Sequence, residues 1–169
     1  GVPKLLDFGI AKLLNPEIAG DITHDPTATS MRLMTPEYAS PEQVQGAPIT
    51  PSTDVYSLGV LLYELLSGHR PYRLFNRAPH EIARVICEEP PAPLSIIITR
   101  PHDLLPSGNE ATTLENVYLA RGASVEILRR DLSGVLEDIV SRALRKEPQW
   151  RYPSAAQLGE DVTSFLEGR

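Results

Sequence analysis

The sequence predicts a mainly α-helical domain with a short β segment at its N-terminus. Three observations carry that prediction. Residues 52–68 form an apolar run bounded by helix start and stop signals. Segments 79–88, 131–144 and 155–166 repeat apolar residues at helical spacing. Strand-like sequence is confined to the first few residues. With 169 residues the chain is long enough for one domain with a sizeable core.

The run from Ser52 to Gly68 organises the rest. Ser52 or Thr53 is expected to cap its start, since a hydroxyl there can accept a bond from an unpaired first-turn N–H. Gly68 supplies the left-handed residue that ends many helices, and Pro71 follows. Between them stand Val55, Tyr56, Leu58, Val60, Leu61, Leu62, Tyr63, Leu65 and Leu66, so the helix is apolar nearly all round. Such a helix is expected at the centre of a core, with elements packed on several sides. It is shorter than the roughly 18 apolar residues needed to span a membrane, and it carries Asp54 and Glu64. Asp54, near the positive end of the helix dipole, reads either as a solvated cap or as a clamp on a neighbouring loop.

Taken in order, Val2-Pro-Lys-Leu-Leu6 reads as a short edge strand because of Pro3. Asp7-Phe8-Gly9 follows, then a brief helix at 10–14 ended before Pro16. Residues 15–34 read as a long loop with hydroxyls at Thr23, Thr27, Thr29 and Ser30. Pro79 to Glu88 reads as an amphipathic helix opened by proline, with Ile82, Val85 and Ile86 on one face. Across 89–130, five prolines exclude long helix or central strand, which leaves an excursion with a short helix near Glu115–Leu119. Asp131 to Leu144 reads as one amphipathic helix with a stripe of Leu136, Ile139, Val140, Ala143 and Leu144. Ser154 and Gln157 have capping-box spacing for a last helix burying Leu158, Val162, Phe165 and Leu166.

The totals exclude some functions. A net charge of -6 argues against a nucleic-acid partner and against contact with an anionic membrane surface. One cysteine, Cys87, rules out an internal disulfide and reads as a small core residue. The four histidines show no metal-ligand spacing. Residues 1–20 lack the basic start, apolar block and cleavage site of a signal peptide. A reducing, cytoplasmic compartment fits these facts.

Four patterns occur in one order: Asp7-Phe-Gly9, Ser40-Pro-Glu42, Asp54-Val-Tyr-Ser-Leu-Gly59, and Arg145-Lys-Glu-Pro-Gln-Trp-Arg-Tyr152. Together they resemble the large, C-terminal lobe of a protein kinase, and most closely the bacterial serine/threonine kinases of eukaryotic type. Ser40-Pro41-Glu42 stands where the family has Ala-Pro-Glu. The resemblance covers nearly all of 1–169, most weakly 89–130. It implies an activation segment at 7–42 and lobe helices at 52–166. The Gly-rich phosphate loop, the strand lysine and the His-Arg-Asp catalytic loop have no match here. The resemblance therefore implies an incomplete kinase domain without its small lobe and catalytic loop.

What the resemblance implies for single residues is specific. Asp7 would hold Mg²⁺ at the ATP phosphates, Phe8 would pack as part of the active/inactive switch, and Gly9 would permit the backbone turn. Thr35 matches the threonine beside the substrate hydroxyl and the catalytic aspartate; read alone, it is a capping hydroxyl before Pro36. Met34 replaces the family's usual glycine. Thr27 and Thr29 lie where bacterial relatives autophosphorylate; read alone, they are unmodified loop hydroxyls. Glu42 and Arg151 match a buried ion pair, and Asp54 matches a clamp on the catalytic-loop backbone. The implied activity is transfer of the ATP γ-phosphoryl group to protein Ser/Thr hydroxyls by the intact protein, with protein substrates as partners and room for a kinase dimer. The 169 residues alone are expected to be inactive. Membrane anchoring of the intact protein is expected, if at all, through a segment outside these residues. The rival expectation is a pseudokinase-type protein-binding module using 79–88 and 89–130. A metal-dependent hydrolase built on Asp7 lacks a second ligand cluster.

Overall fold

The structure is a computed structural model that describes residues 36–74, 78–99 and 124–168. The expected strand at 2–6, the helix at 10–14 and the helix near Glu115–Leu119 lie outside those residues. The described residues are helical, with no strand among them. The helices are α1 (Pro41–Gln45), α2 (Pro51–Ser67), α3 (Pro79–Glu88), α4 (Leu94–Ile97), α5 (Val125–Leu132), α6 (Val135–Ala143) and α7 (Ala155–Leu166). Two 3₁₀ turns, Pro36–Tyr38 and Pro148–Trp150, join them.

The central helix α2 packs against α4, α6, α7 and both 3₁₀ turns. Val55, Tyr56, Val60 and Tyr63 are essentially inaccessible, each worth about 1.5–3 kcal/mol in transfer from water before entropy is subtracted. Gly59 is the point of closest approach to α6. A Cβ built on it would lie 2.9 Å from Ala143 Cβ and 3.2 Å from Leu144 Cδ2. The glycine in the Asp54–Gly59 pattern thus lets two helix backbones meet. Tyr63 Oη donates to the Ala92 carbonyl at 2.8 Å, which pins the proline-rich segment beside the helix.

Three sequence expectations need correction here. The cap of α2 is Thr50, and neither Ser52 nor Thr53 takes that position. Pro51 occupies the first helical turn, and the Thr50 N–H donates to Thr53 Oγ1 at 3.2 Å, so the hydroxyl at Thr53 closes the turn from inside. Second, elements do pack on several sides of α2, but its apolar surface is not buried all round: Leu58, Leu61 and Leu65 are exposed, the last 63 %. Their spacing puts them on one face, in line with Asp54, one turn before Leu58. Third, 131–144 is not one helix. It breaks at Ser133 and Gly134, whose φ of 81° and ψ of -130° suit glycine alone, so α5 ends at Leu132 and α6 starts at Val135.

Helix α5 falls within the stretch read as an irregular excursion. Ser124 caps it by accepting from the Ile127 N–H, Glu126 lies in its first turn and Arg129 and Arg130 in its last. The stripe of Leu136, Ile139, Val140, Ala143 and Leu144 is buried as the periodicity requires. In α7, Leu158 is buried, Val162 and Phe165 are half-buried, and Leu166 is 76 % exposed in the last turn, so the expected stripe is one residue too long. Among the described residues no helix is long and apolar enough to cross a membrane.

Candidate functional site

The strongest polar constellation joins α1, the start of α2 and the turn before α7. Its centre is Arg151, whose side chain is fully buried against a Glu42 side chain 5 % exposed. Nη1 and Nη2 donate to Glu42 Oε1 and Oε2 at 2.7 and 2.8 Å, a bidentate fork. Nη1 also donates to the Ser52 carbonyl at 2.9 Å, Nη2 to the Lys146 carbonyl at 2.8 Å, and Nε to the Arg145 carbonyl at 2.6 Å. All five guanidinium N–H groups are therefore used. The guanidinium also sits 4.9 Å from the Tyr56 ring centre.

Glu42 receives a further bond from Thr53 Oγ1 at 2.8 Å. Burial pushes its carboxyl upward, but the Arg151 fork, its own backbone N–H and Thr53 outweigh burial, and the group is held below its ordinary range. Ser40, fully buried, caps α1. Its Oγ accepts from the Gln43 N–H at 3.3 Å, while Gln43 Oε1 accepts from the Ser40 N–H at 2.9 Å. The Ser40-Pro-Glu-Gln43 stretch is thus a closed capping box. The Ser-x-x-Gln pattern read at 154–157 was present at 40–43 as well, and is the signal that finds it.

Upstream of Ser40, the turn Pro36–Tyr38 begins directly after Thr35 and is anchored on α2. Tyr38 Oη donates to Glu64 at 2.6 Å, and Ser57 Oγ donates to the Tyr38 carbonyl at 3.0 Å. Arg70 bridges Glu37 at 3.3 Å and Glu64 at 3.8 Å. The bond to Glu64, followed by partial burial, pushes the Tyr38 hydroxyl up.

A second cation sits beside this node. Lys146 Nζ donates to Tyr72 Oη at 2.9 Å and to the Ile86 carbonyl, and lies 4.2 Å from the Tyr72 ring centre. It thereby ties the segment after α2 and helix α3 to the turn that carries Arg151. Sequence reasoning passed over Lys146, because a lysine in a turn has no pattern that announces its burial.

Asp7, Phe8, Gly9, Thr27, Thr29 and Thr35 lie outside the described residues. Asp54 is exposed in the first turn of α2 and makes no hydrogen bond or ion pair among the described residues. The structure therefore brings Glu42 and Arg151 together and leaves Asp54 on the uncovered face of α2. No three His, Cys, Asp or Glu side chains among the described residues form a group that could hold a metal ion.

Comparison with known proteins agrees with these patterns. The chain is 31% identical over 166 residues to the serine/threonine-protein kinase PknB of Mycolicibacterium smegmatis, covering 98% of this chain and 20% of that protein. It is 38% identical over 169 residues to the serine/threonine-protein kinase PknA of Corynebacterium glutamicum, covering 100% of this chain and 27% of that protein. The probable serine/threonine-protein kinase PknB of the same organism is 31% identical over 162 residues, with 96% and 20% covered. The chain thus spans a fifth to about a quarter of the length of these relatives. Residues 1–162 match the protein kinase domain, and the chain belongs to that family, on its bacterial, eukaryotic-type serine/threonine side.

Proposed function

We propose that these residues are the large-lobe part of a serine/threonine protein kinase that transfers the γ-phosphoryl group of ATP to protein hydroxyls. The observation that carries this reading is the match of residues 1–162 to the protein kinase domain, with bacterial serine/threonine kinases aligned along the whole chain. In this reading residues 7–42 are the activation segment. Asp7 holds Mg²⁺, whose charge offsets that of the phosphoryl oxygens. Phe8 packs as part of the active/inactive switch, Gly9 permits the backbone turn, and Thr35 lies beside the substrate hydroxyl and the catalytic aspartate. Thr27 and Thr29 accept phosphate. The Glu42–Arg151 fork fastens the end of that segment to the lobe.

The uncovered face of α2 supports a further element packing there. Leu58, Leu61 and Leu65 present an apolar stripe, and Asp54 continues it toward the helix N-terminus. We place the catalytic loop of the intact domain on that face. Asp54 would then accept bonds from the loop backbone. Without the phosphate-holding lysine and the base that positions the nucleophile, the 169 residues supply no complete transfer site.

The test is phosphoryl transfer to a Ser/Thr peptide. A chain extended upstream to include the rest of the domain should phosphorylate it in an Mg²⁺- and ATP-dependent manner, and Asp7→Asn should lower the rate by about 10²-fold or more. The 169-residue chain alone should transfer none. An extended, folded chain without activity would favour the second reading, a protein-binding module. That reading draws on a concave site of about 410 Å³ between α3 and residues 70–74, lined by Arg70, Arg84, Glu81 and Glu89 among others.

A further inference from the structure

Two carboxylates and one guanidinium meet beside the turn Pro36–Tyr38. Arg70 Nη1 lies 3.3 Å from Glu37 Oε1, and its Nε lies 3.8 Å from Glu64 Oε1. The second oxygen of Glu64 accepts from Tyr38 Oη at 2.6 Å. One positive charge thus stands between two negative ones, drawn from the turn, from α2 and from the segment after α2. The cluster is within reach of solvent: the Arg70, Glu64 and Glu37 side chains are 36 %, 33 % and 16 % exposed. Arg70 also lines the concave site between α3 and residues 70–74, which gives a chain segment room to lie against it. Glu37 is two residues beyond Thr35, so at most about 7 Å separate their Cα atoms. A substrate whose hydroxyl lies beside Thr35 therefore brings its flanking residues within reach of this cluster.

We infer that Arg70 is a specificity-determining residue: it fills from within the place that a basic side chain of the substrate would take between Glu37 and Glu64. This inference rests on the phosphoryl-transfer reading. A substrate arginine or lysine must displace a guanidinium of the same chain, which pays no association entropy to be there. The positive charge of Arg70 also repels the incoming one. Substrates that are neutral or acidic beside the acceptor hydroxyl meet neither obstacle. Without Arg70 both carboxylates lose that counter-charge, and a basic side chain gains the vacated place. The selectivity of the site for charge beside the acceptor is thus set by one arginine of the segment after α2.

The test uses the chain extended upstream to the rest of the domain. It compares three Ser/Thr peptides that differ only in the residues flanking the acceptor: arginine in one, alanine in the second, glutamate in the third. With Arg70 present, kcat/KM for the arginine peptide should not exceed that for the other two. Arg70→Met should raise the arginine-to-alanine ratio by about fivefold or more, the size of one ion pair near a surface, and chiefly through KM. Added salt should shrink the gain, which a mere loosening of the turn would not show. Arg70→Lys keeps the charge and should keep the original ranking. The Arg70 pairs are partly exposed and add little to stability, so both variants should fold.

An unchanged ratio in Arg70→Met, in a domain that does phosphorylate the peptides, would overturn the inference and leave the phosphoryl-transfer reading standing. So would a domain with Arg70 intact that already prefers the arginine peptide. A folded domain that transfers phosphate to no peptide would overturn both.

Discussion

Replacing Glu42 with alanine isolates what the buried ion pair contributes. The substitution strands a guanidinium whose side chain has no access to solvent, and it removes the acceptor of Thr53 Oγ1. Three carbonyls still hold Arg151, from Arg145, Lys146 and Ser52, but none of them neutralises its charge. Removing one partner of a buried pair typically costs about 3–5 kcal/mol, and Glu42→Ala is expected in that range. Urea unfolding followed by circular dichroism measures it, with the midpoint falling and the slope unchanged. Because the pair is shielded, added salt should not reduce the loss. The double variant Glu42→Leu/Arg151→Met should lose less than the two single variants summed, by about 2 kcal/mol or more, since no charge is then stranded. A loss below about 1 kcal/mol for Glu42→Ala, or an additive cycle, would refute the claim that this fork holds α1 to the turn before α7.

Other expectations are simpler. Ser40→Ala opens the capping box of α1 and should cost about 1 kcal/mol in thermal or urea unfolding. Gly59→Ala sets helix propensity, worth about 1 kcal/mol in its favour, against a Cβ 2.9 Å from Ala143 Cβ. That neighbour is short and cannot swing away, so overpacking of about 1–3 kcal/mol should win and the melting temperature should fall. Acid should destabilise the fold through Glu42: its pKa is lower folded than unfolded, so its contribution is present above pH 4.5 and is lost as pH falls through the folded value.

The helices with clear boundaries were legible because their signals are local. Pro79 opens α3, Ser154 caps α7, Gly68 closes α2, and each lies beside an apolar stripe. The errors arose where the signals conflict. Apolar spacing runs from Asp131 through Leu144, and only the backbone at Gly134 shows that the chain turns there. The prolines at 90–106 suggested irregular chain as far as 130, although Ser124, Glu126 and the two arginines mark α5. The exposed face of α2 could not be foreseen, because an apolar residue states a preference for burial without naming its partner. Of the site, Glu42 and Arg151 were paired through resemblance, being 109 residues apart, not through any pattern in the chain. The three backbone carbonyls around Arg151 have no side-chain signature at all, so no reading of residue types could supply them.

The two neighbouring cations show how the same charge serves different ends. Arg151 cannot lose its proton, so its burial requires a carboxylate, and Glu42 meets it with two parallel bonds. That fork consumes the local negative charge. Lys146, whose carbonyl is itself bound by Arg151, faces a neutralised pair and two uncharged acceptors. A lysine can respond by shedding its proton, and burial lowers its pKa to about 8. A base whose pKa is lower folded than unfolded leaves the folded state with fewer bound protons between about pH 8 and its unfolded value, 10.5. Stability should therefore climb across the lower part of that window. The full shift would correspond to about 3 kcal/mol, which solvent screening of a half-exposed amine reduces to about 1–2 kcal/mol. Above about pH 10 the gain should reverse. Burial pushes the Tyr72 hydroxyl up to about 12 and raises that of Tyr56, and groups with raised values contribute stability that is lost as pH passes through them. Urea midpoints measured at half-unit steps between pH 7 and 11 should pass through a maximum. Lys146→Met should flatten the rising limb, because the half-buried amine that carries it is then gone, and leave the falling limb in place. A rising limb that survives this substitution would show that some other group carries it.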